Sequence, residues 1–570
     1  MLHSVQSAKR FAALWVLMVL LLSVPGISPA LAADSGSLKE LWISPTGEKT
    51  VDAIKWFKPE NGKEYYLFLP ANADPDEMKI GFTGTDSLAA DGAALVNGDS
   101  AAVFVPGSQV LLTVGKKKYT VNVMQGSSGL PAIYITTASG KLTKIHEKKS
   151  NKETGYMILV TGDGEVEYDG ALTHIKMRGN SSTTFKKKNY QMKLETGANL
   201  CGMGKCRTWI LTGNSRDKSL IRNQMTYDMA AYAGLKYTPE HIQAELYINN
   251  EYMGLYLFGE KVMIDDDRVD ITDLEAAMEE MNDEELSSYP FKGERGTGIG
   301  NRKAYKIPNI PEDITGGYLI EFESYDSRYK AEPSAYFTKR KNSIVVKSPE
   351  YCSVEQMDYV AGFIQGFEDA IFAKDGNDPA TGKHFDEFMD MDSLVCKYLV
   401  EEISKNYDGN SSSMFFYKDV DSVSTVAFAG PVWDYDSSYG SYAREDNAKK
   451  VLTGKGLWIG NATGGRYWWS ALYKQPDFYA AMTKKFETVF LPAMNILLGE
   501  ETDETGTLLS IRQYAEAIRA SAEMNFTRWP NKKNASTVAK TGYTFDENID
   551  FLVDFVTVRR DYLKETWLGE

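Results

Sequence analysis

Near Glu350 the hydrophobic rhythm of this chain changes, and that change restricts the fold more than any single motif does. Upstream, apolar residues alternate over short runs broken by turn residues, as in Gln109 to Val114, Gln243 to Ile248 and Gly317 to Phe322. That is the period of half-buried strands. Downstream, apolar residues recur at helical spacing over Val354 to Phe372, Phe385 to Lys405, Tyr479 to Leu498, Thr507 to Phe526 and Ile549 to Trp567. A β-rich region followed by a helical one predicts an α+β chain. At 570 residues, with 43% hydrophobic and 12% aromatic residues, it has material for two or three domains with substantial cores.

Residues 1–33 read as a secretory signal peptide. Lys9 and Arg10 precede an apolar run from Phe11 to Val24, and Ala30-Leu31-Ala32 supplies a small-residue cleavage site. Residues 34–125 contain short β-type segments, among them Ala53 to Trp56, Glu64 to Leu69, Lys79 to Phe82, Ala102 to Val105 and Lys118 to Met124. Their spacing predicts an immunoglobulin-like β-sandwich that folds alone, with Gly126-Ser-Ser-Gly129 as its exit. Residues 130–570 form the remaining domain, with a β-rich part over about 130–350 and a helical part over about 351–570. Within it, His174 to Met177 and Tyr190 to Leu194 are expected strands around a polar loop, and Asp217 to Ala233 an expected helix. Asn249-Asn250 is the expected turn of a hairpin.

Two acidic motifs carry the chemistry: Asn406-Tyr-Asp408-Gly-Asn410 and Gly430-Pro-Val-Trp-Asp434-Tyr-Asp436-Ser-Ser-Tyr-Gly440. Phosphoryl transfer needs one carboxylate to orient a hydroxyl and another to hold a metal against the nucleotide phosphates. The loop Arg178-Gly179-Asn180-Ser181-Ser182, between two expected strands, has the small residues that present backbone N–H groups to phosphate.

Together with Ile175-Lys-Met-Arg-Gly-Asn-Ser-Ser182 and Asp217-Lys-Ser-Leu-Ile-Arg-Asn223, these motifs resemble the CotH family of spore-coat-type atypical protein kinases over roughly residues 145–530. The resemblance implies a two-lobed kinase-like fold and a secreted or cell-surface enzyme. That enzyme would use ATP and Mg2+ or Mn2+ to phosphorylate Ser or Thr hydroxyls of proteins, with surface or coat proteins as candidate acceptors. It places nucleotide binding on Arg178, Asn180, Ser181, Ser182 and Lys193, with Lys188 the alternative lysine. Either Asp228 or Glu260 then pairs with that lysine, and Glu260 has a second possible place near the base. Arg222 is a further phosphate-contact candidate. Asp408 is the expected base or hydroxyl orienter, and Asp434 is the first candidate for the metal ligand, with Asp436 the second. The family's asparagine for a further metal contact is missing, because Ser411-Ser-Ser-Met414 occupies its stretch, and Asn410 is the candidate replacement. The rival reading is a non-catalytic surface or spore-surface binding protein with a kinase-like fold, and the accessory domain could hold a surface ligand under either.

Other classes fit poorly. Formal net charge is −15, and −17 without Lys9 and Arg10, which argues against nucleic-acid binding. Lys116-Lys-Lys118 and Lys186-Lys-Lys188 read as solvated turns. No His-Glu-x-x-His or Gly-x-Ser-x-Gly occurs, and Asp265-Asp-Asp267 lacks the pattern of an EF-hand. Cys201 and Cys206, flanking Gly-Met-Gly-Lys, are expected to be bridged, whereas Cys396 is expected as a buried thiol. No stretch after the leader is long and apolar enough for stable membrane insertion.

Overall fold

The computed structural model describes residues 36–293, 302–323, 326–444, 446–530 and 544–569, so the leader read in residues 1–33 lies outside the described residues. Two small sheets come first. One runs in the order Ile54–Lys55, Glu40–Ser44, Lys79–Thr83, and the other Tyr65–Leu69, Lys117–Gln125, Gln109–Val114, Leu88–Ala90, Ala93–Leu95. The expected strand Ala102 to Val105 is a turn instead. Phe104 N donates to Ala101 O (2.8 Å), and the turn drops the Phe104 ring into the core. That core continues into the next unit through Tyr247, Tyr252 and Met524. Tyr247 donates from its hydroxyl to Phe68 O (3.0 Å), and Asn250 Nδ2 to Thr50 O (2.7 Å).

Seven strands then close a barrel in the order Lys152–Val160, Val166–Arg178, Asn189–Asn199, Lys205–Thr212, Glu251–Glu260, His241–Ile248, Ala132–Thr137. Its strands alternate as the sequence does: Ile175, Met177, Tyr190, Met192 and Leu194 point inward, while Lys176, Arg178, Asn189 and Gln191 face the other way. Each fully buried aliphatic side chain contributes about 1.5–3 kcal/mol, which fixes this register, because a one-residue slip would turn the whole set outward. Asn249 and Asn250 form the predicted tight turn, with φ of 53° and 68°.

A second seven-stranded sheet follows, with Ser343–Ser348, Tyr318–Phe322 and Met414–Lys418 at its centre. Helices Val354–Phe372, Met391–Ser404 and Phe545–Leu568 contribute to the largest core of the molecule. Met391–Ser404 starts where the Asp390 side chain caps it, its Oδ1 accepting from Ser393 N (2.8 Å). The helix expected from Asp217 begins only at Arg222. The Asp217 carboxylate accepts from the Ser219 and Arg222 amides (2.8 Å each), and Leu220 takes φ 63°, so the preceding residues form a capped loop. No helix among the described residues is long and apolar enough to cross a membrane.

Candidate functional site

A cleft of about 740 Å3 opens between the barrel, the second sheet and the two acidic loops. Its barrel wall carries Lys176, Arg178, Asn189 and Gln191, together with Asn180, Ser181 and Ser182 of the small-residue loop. Gly179 makes that loop possible, since at φ 100° a side chain would be strained and its Cβ would collide with Ser182 Oγ. Thr183 and Thr184 hydroxyls donate back to the carbonyls of Asn180 and Ser181 (2.6 and 2.7 Å), which closes the turn on itself. Lys261, Glu321 and Lys347 line the cleft beside them.

The opposite wall carries Asp408, Asp434 and Asp436. Both acidic loops hang from one buried group, Glu401 on the helix Met391–Ser404. Its Oε2 accepts from Asn406 Nδ2 (2.9 Å) beside Asp408, and its Oε1 accepts from the Tyr435 hydroxyl (2.6 Å) between Asp434 and Asp436. Lys397, fully buried, neutralises Glu401 at 2.7 Å. Gly409 is needed for the approach, because a Cβ there would sit 2.8 Å from Glu401 Oε2. The helix Arg222–Tyr232 holds the second loop from its other side. Asn223 Oδ1 accepts from the Tyr435 amide (2.6 Å), and the Tyr227 hydroxyl accepts from the Asp434 amide (3.2 Å). Asp434 itself takes φ 64°, a left-handed conformation that Asp tolerates better than most residues.

The charges on the two walls perturb one another. Burial, and then the charge of Asp436, push the Asp408 carboxyl up to about 6, against the pull of Arg216. Burial raises Asp434 and Asp436 as well, with Asp408 the next cause for the first and Asp434 for the second. On the cationic wall, burial and then Arg178 and Lys347 lower Lys261 to about 8. Burial also lowers Arg178, whose guanidinium lies 5.1 Å from the Trp433 ring and whose charge is favoured by Asp434. Lys347 is held up despite burial by Glu321 and Glu332, the latter at 3.2 Å.

A model of the CotH kinase protein family matches residues 175–563, more than half of the chain. The chain belongs to that family. No curated protein matches this CotH chain.

Of the sequence candidates, the CotH chain brings Arg178, Asn180, Ser181, Ser182, Asp408, Asp434 and Asp436 to one cleft. The others fall elsewhere. Lys193 pairs with His174, one pleat farther along its strand than the cleft-lining pair Lys176 and Gln191, and is not among the lining residues. Lys188 props the small loop through Thr183 O (2.6 Å). Arg222 is buried in an ion pair with Asp217, so it is a structural residue rather than a phosphate contact. Glu260 is taken up by Arg268 (2.6 Å) and the Glu240 amide (2.9 Å), and Asp228 by His241 (3.3 Å) and the Tyr514 hydroxyl (2.6 Å). Asn410 is not a lining residue, whereas Ser412 and Ser413 are.

Two further expectations change. Lys187 is not a solvated turn lysine. It is buried and donates to Leu255 O (2.5 Å) and Asn525 Oδ1 (2.7 Å). Cys201 and Cys206 are free thiols, and Cys206 Sγ instead lies 3.7 Å from Asp265 Oδ2. Lys176, Arg216, Lys261 and Lys347 line the cleft without being among the sequence candidates. Lys176 lies in the Ile175-to-Ser182 motif, where strand alternation puts it on the face of Arg178. Lys261 and Lys347 come from other elements, and no spacing signal joins them to the loop.

The donor chemistry suits a hard divalent cation. Asp434 and Asp436 offer oxygen donors whose anionic forms are disfavoured by burial and then by a neighbouring carboxylate, Asp408 for the first and Asp434 for the second, a cost that a cation would offset. Among the described residues no three His, Cys, Asp or Glu side chains form a metal site by themselves. Mg2+ is commonly held by one or two carboxylates with substrate phosphates completing its shell.

Proposed function

We propose that this CotH-family chain is an atypical kinase that transfers the ATP γ-phosphate to Ser or Thr hydroxyls of proteins. One observation carries the reading: a cationic wall of Lys176, Arg178, Lys261 and Lys347 faces three carboxylates with raised pKa values across a single cleft. Triphosphate charge suits the first wall, and proton handling and cation binding suit the second. Asp434 and Asp436 would hold Mg2+ or Mn2+, which when bound supplies charge neutralisation at the phosphates. Lys261 and Lys176 take the phosphate-pairing role that the family resemblance places on Lys193, and Asn180, Ser181 and Ser182 contact the phosphates. Asp408 orients the acceptor hydroxyl and accepts its proton. With a carboxyl held near 6, it is a better proton acceptor at neutral pH than an ordinary aspartate. The leader of residues 1–33 would place the reaction outside the cytoplasmic membrane or at the cell surface, and the N-terminal sheets would hold a surface ligand.

Calorimetric titration of the full chain with an ATP analogue tests the site. Binding that requires Mg2+ or Mn2+ and weakens at least tenfold in Lys261→Met supports the reading. Wild type that fails to bind with either metal favours a non-catalytic surface protein.

A further inference from the structure

We propose that Arg216 is a catalytic residue, placing its guanidinium on the phosphoryl group as that group passes from nucleotide to acceptor. The inference rests on the kinase reading above and deepens it. Arg216 stands on the capped loop between the barrel strand Lys205–Thr212 and the helix Arg222–Tyr232, and it lines the cleft. Its guanidinium lies 5.2 Å from the Phe185 ring, directly after the small-residue loop, and 4.4 Å from the Tyr442 ring, beyond the second acidic motif. The side chain therefore spans the gap between the phosphate side and the acidic side.

Its charge reaches Asp408, Asp434 and Asp436 alike, favouring the anionic form of each. Yet among the described residues it makes no ion pair with any of them. Its one hydrogen bond runs from Nη1 to Ser437 Oγ (3.3 Å), and that hydroxyl donates on to Asp436 Oδ1 (2.9 Å). A structural arginine such as Arg222 or Arg559 is buried against one carboxylate. Arg216 is instead half-buried, stacked on two rings, and among the described residues leaves most of its five N–H donors without a protein partner where the cationic and acidic sides of the cleft meet.

In the transfer, the acceptor oxygen forms a bond to the γ-phosphorus and the bond from that phosphorus to the oxygen bridging to ADP breaks. ADP leaves with the electron pair, and the hydroxyl proton passes to Asp408. Negative charge spreads over the three equatorial oxygens, and the guanidinium fork can meet two of them. Arginines in this role contribute about 10^3–10^5-fold to kcat in other phosphoryl-transfer enzymes.

The test compares full-chain wild type, Arg216→Met, Arg216→Lys and Ser437→Ala in phosphate transfer from labelled ATP, with ATP affinity measured on each. Arg216→Met should lose about 10^3-fold in kcat with ATP affinity unchanged within about threefold. Arg216→Lys should recover less than a tenth of the wild-type rate, because an ammonium cannot reproduce the fork. Ser437→Ala should stay within about tenfold of wild type. Arg216→Met that keeps its kcat, or a loss confined to ATP affinity, overturns the assignment, as does full activity in Arg216→Lys. Wild type that transfers nothing is a separate outcome and removes the kinase reading instead.

Discussion

Asn223 accepts the Tyr435 amide proton at 2.6 Å through Oδ1 while its Nδ2 donates to Asn214 Oδ1 at 2.9 Å, so one buried side chain fixes the backbone between Asp434 and Asp436 to a helix from the other end of the domain. The Asp217-to-Asn223 motif thus acts on the acids of a motif two hundred residues later. Its arginine is spent on Asp217, and its asparagine is the working contact.

Asn223→Leu should therefore leave the Tyr435 amide buried without an acceptor. The loss is about 1–3 kcal/mol of stability, measured by urea unfolding. Transfer should fall by about 10^2-fold, since displacement of reacting groups by an ångström has that scale. Wild-type turnover in a folded Asn223→Leu protein would show that the contact does not position the acids.

Glu401 makes the stronger case for a shared support. Glu401→Ala strands the buried Lys397 ammonium and should cost about 3–5 kcal/mol. Replacing both, as Lys397→Met with Glu401→Leu, should restore much of that stability without restoring activity, because Asn406 and Tyr435 still lose their common acceptor. Recovery of turnover in the double variant would separate Glu401 from the site.

A pH effect is expected at the junction between the N-terminal sheets and the barrel. Glu245 is fully buried, bonded by the Tyr252 hydroxyl (2.6 Å), and burial raises its carboxyl from 4.5 to about 7. A raised carboxyl favours the folded state while protonated. The penalty is absent below about pH 4.5, grows as pH rises to about 7, and is constant above. Glu245→Gln should consequently gain in melting temperature relative to wild type as pH rises from 5 to 8. A difference that stays flat over that range would contradict the buried, neutral carboxyl.

Much of this was legible in the sequence. Val354–Phe372 and the Asn249-Asn250 turn were readable because their signals are local: helical period in the first, left-handed residues in the second. The acids were readable because each sits in a short loop of distinctive composition. The cleft lysines Lys261 and Lys347 were not, since they reach Lys176 and Arg178 only through the packing of separate elements. Lys187 was misread because a run of three lysines reports composition, whereas its burial depends on Asn525, 338 residues away. The N-terminal boundary was drawn at a glycine-rich exit, but the core beneath it runs on to Tyr247, Tyr252 and Met524.

The central claim is tested most directly by intact mass after incubation with ATP and Mg2+ or Mn2+, run on wild type and on Asp434→Asn. Asparagine suits φ 64° and removes one of the mutually repelling charges, so this variant should melt no lower than wild type. The account predicts that wild type gains phosphate, in steps of one phosphoryl mass, and that Asp434→Asn gains none. Wild type without added mass under either metal, or Asp434→Asn modified at the wild-type rate, would contradict it.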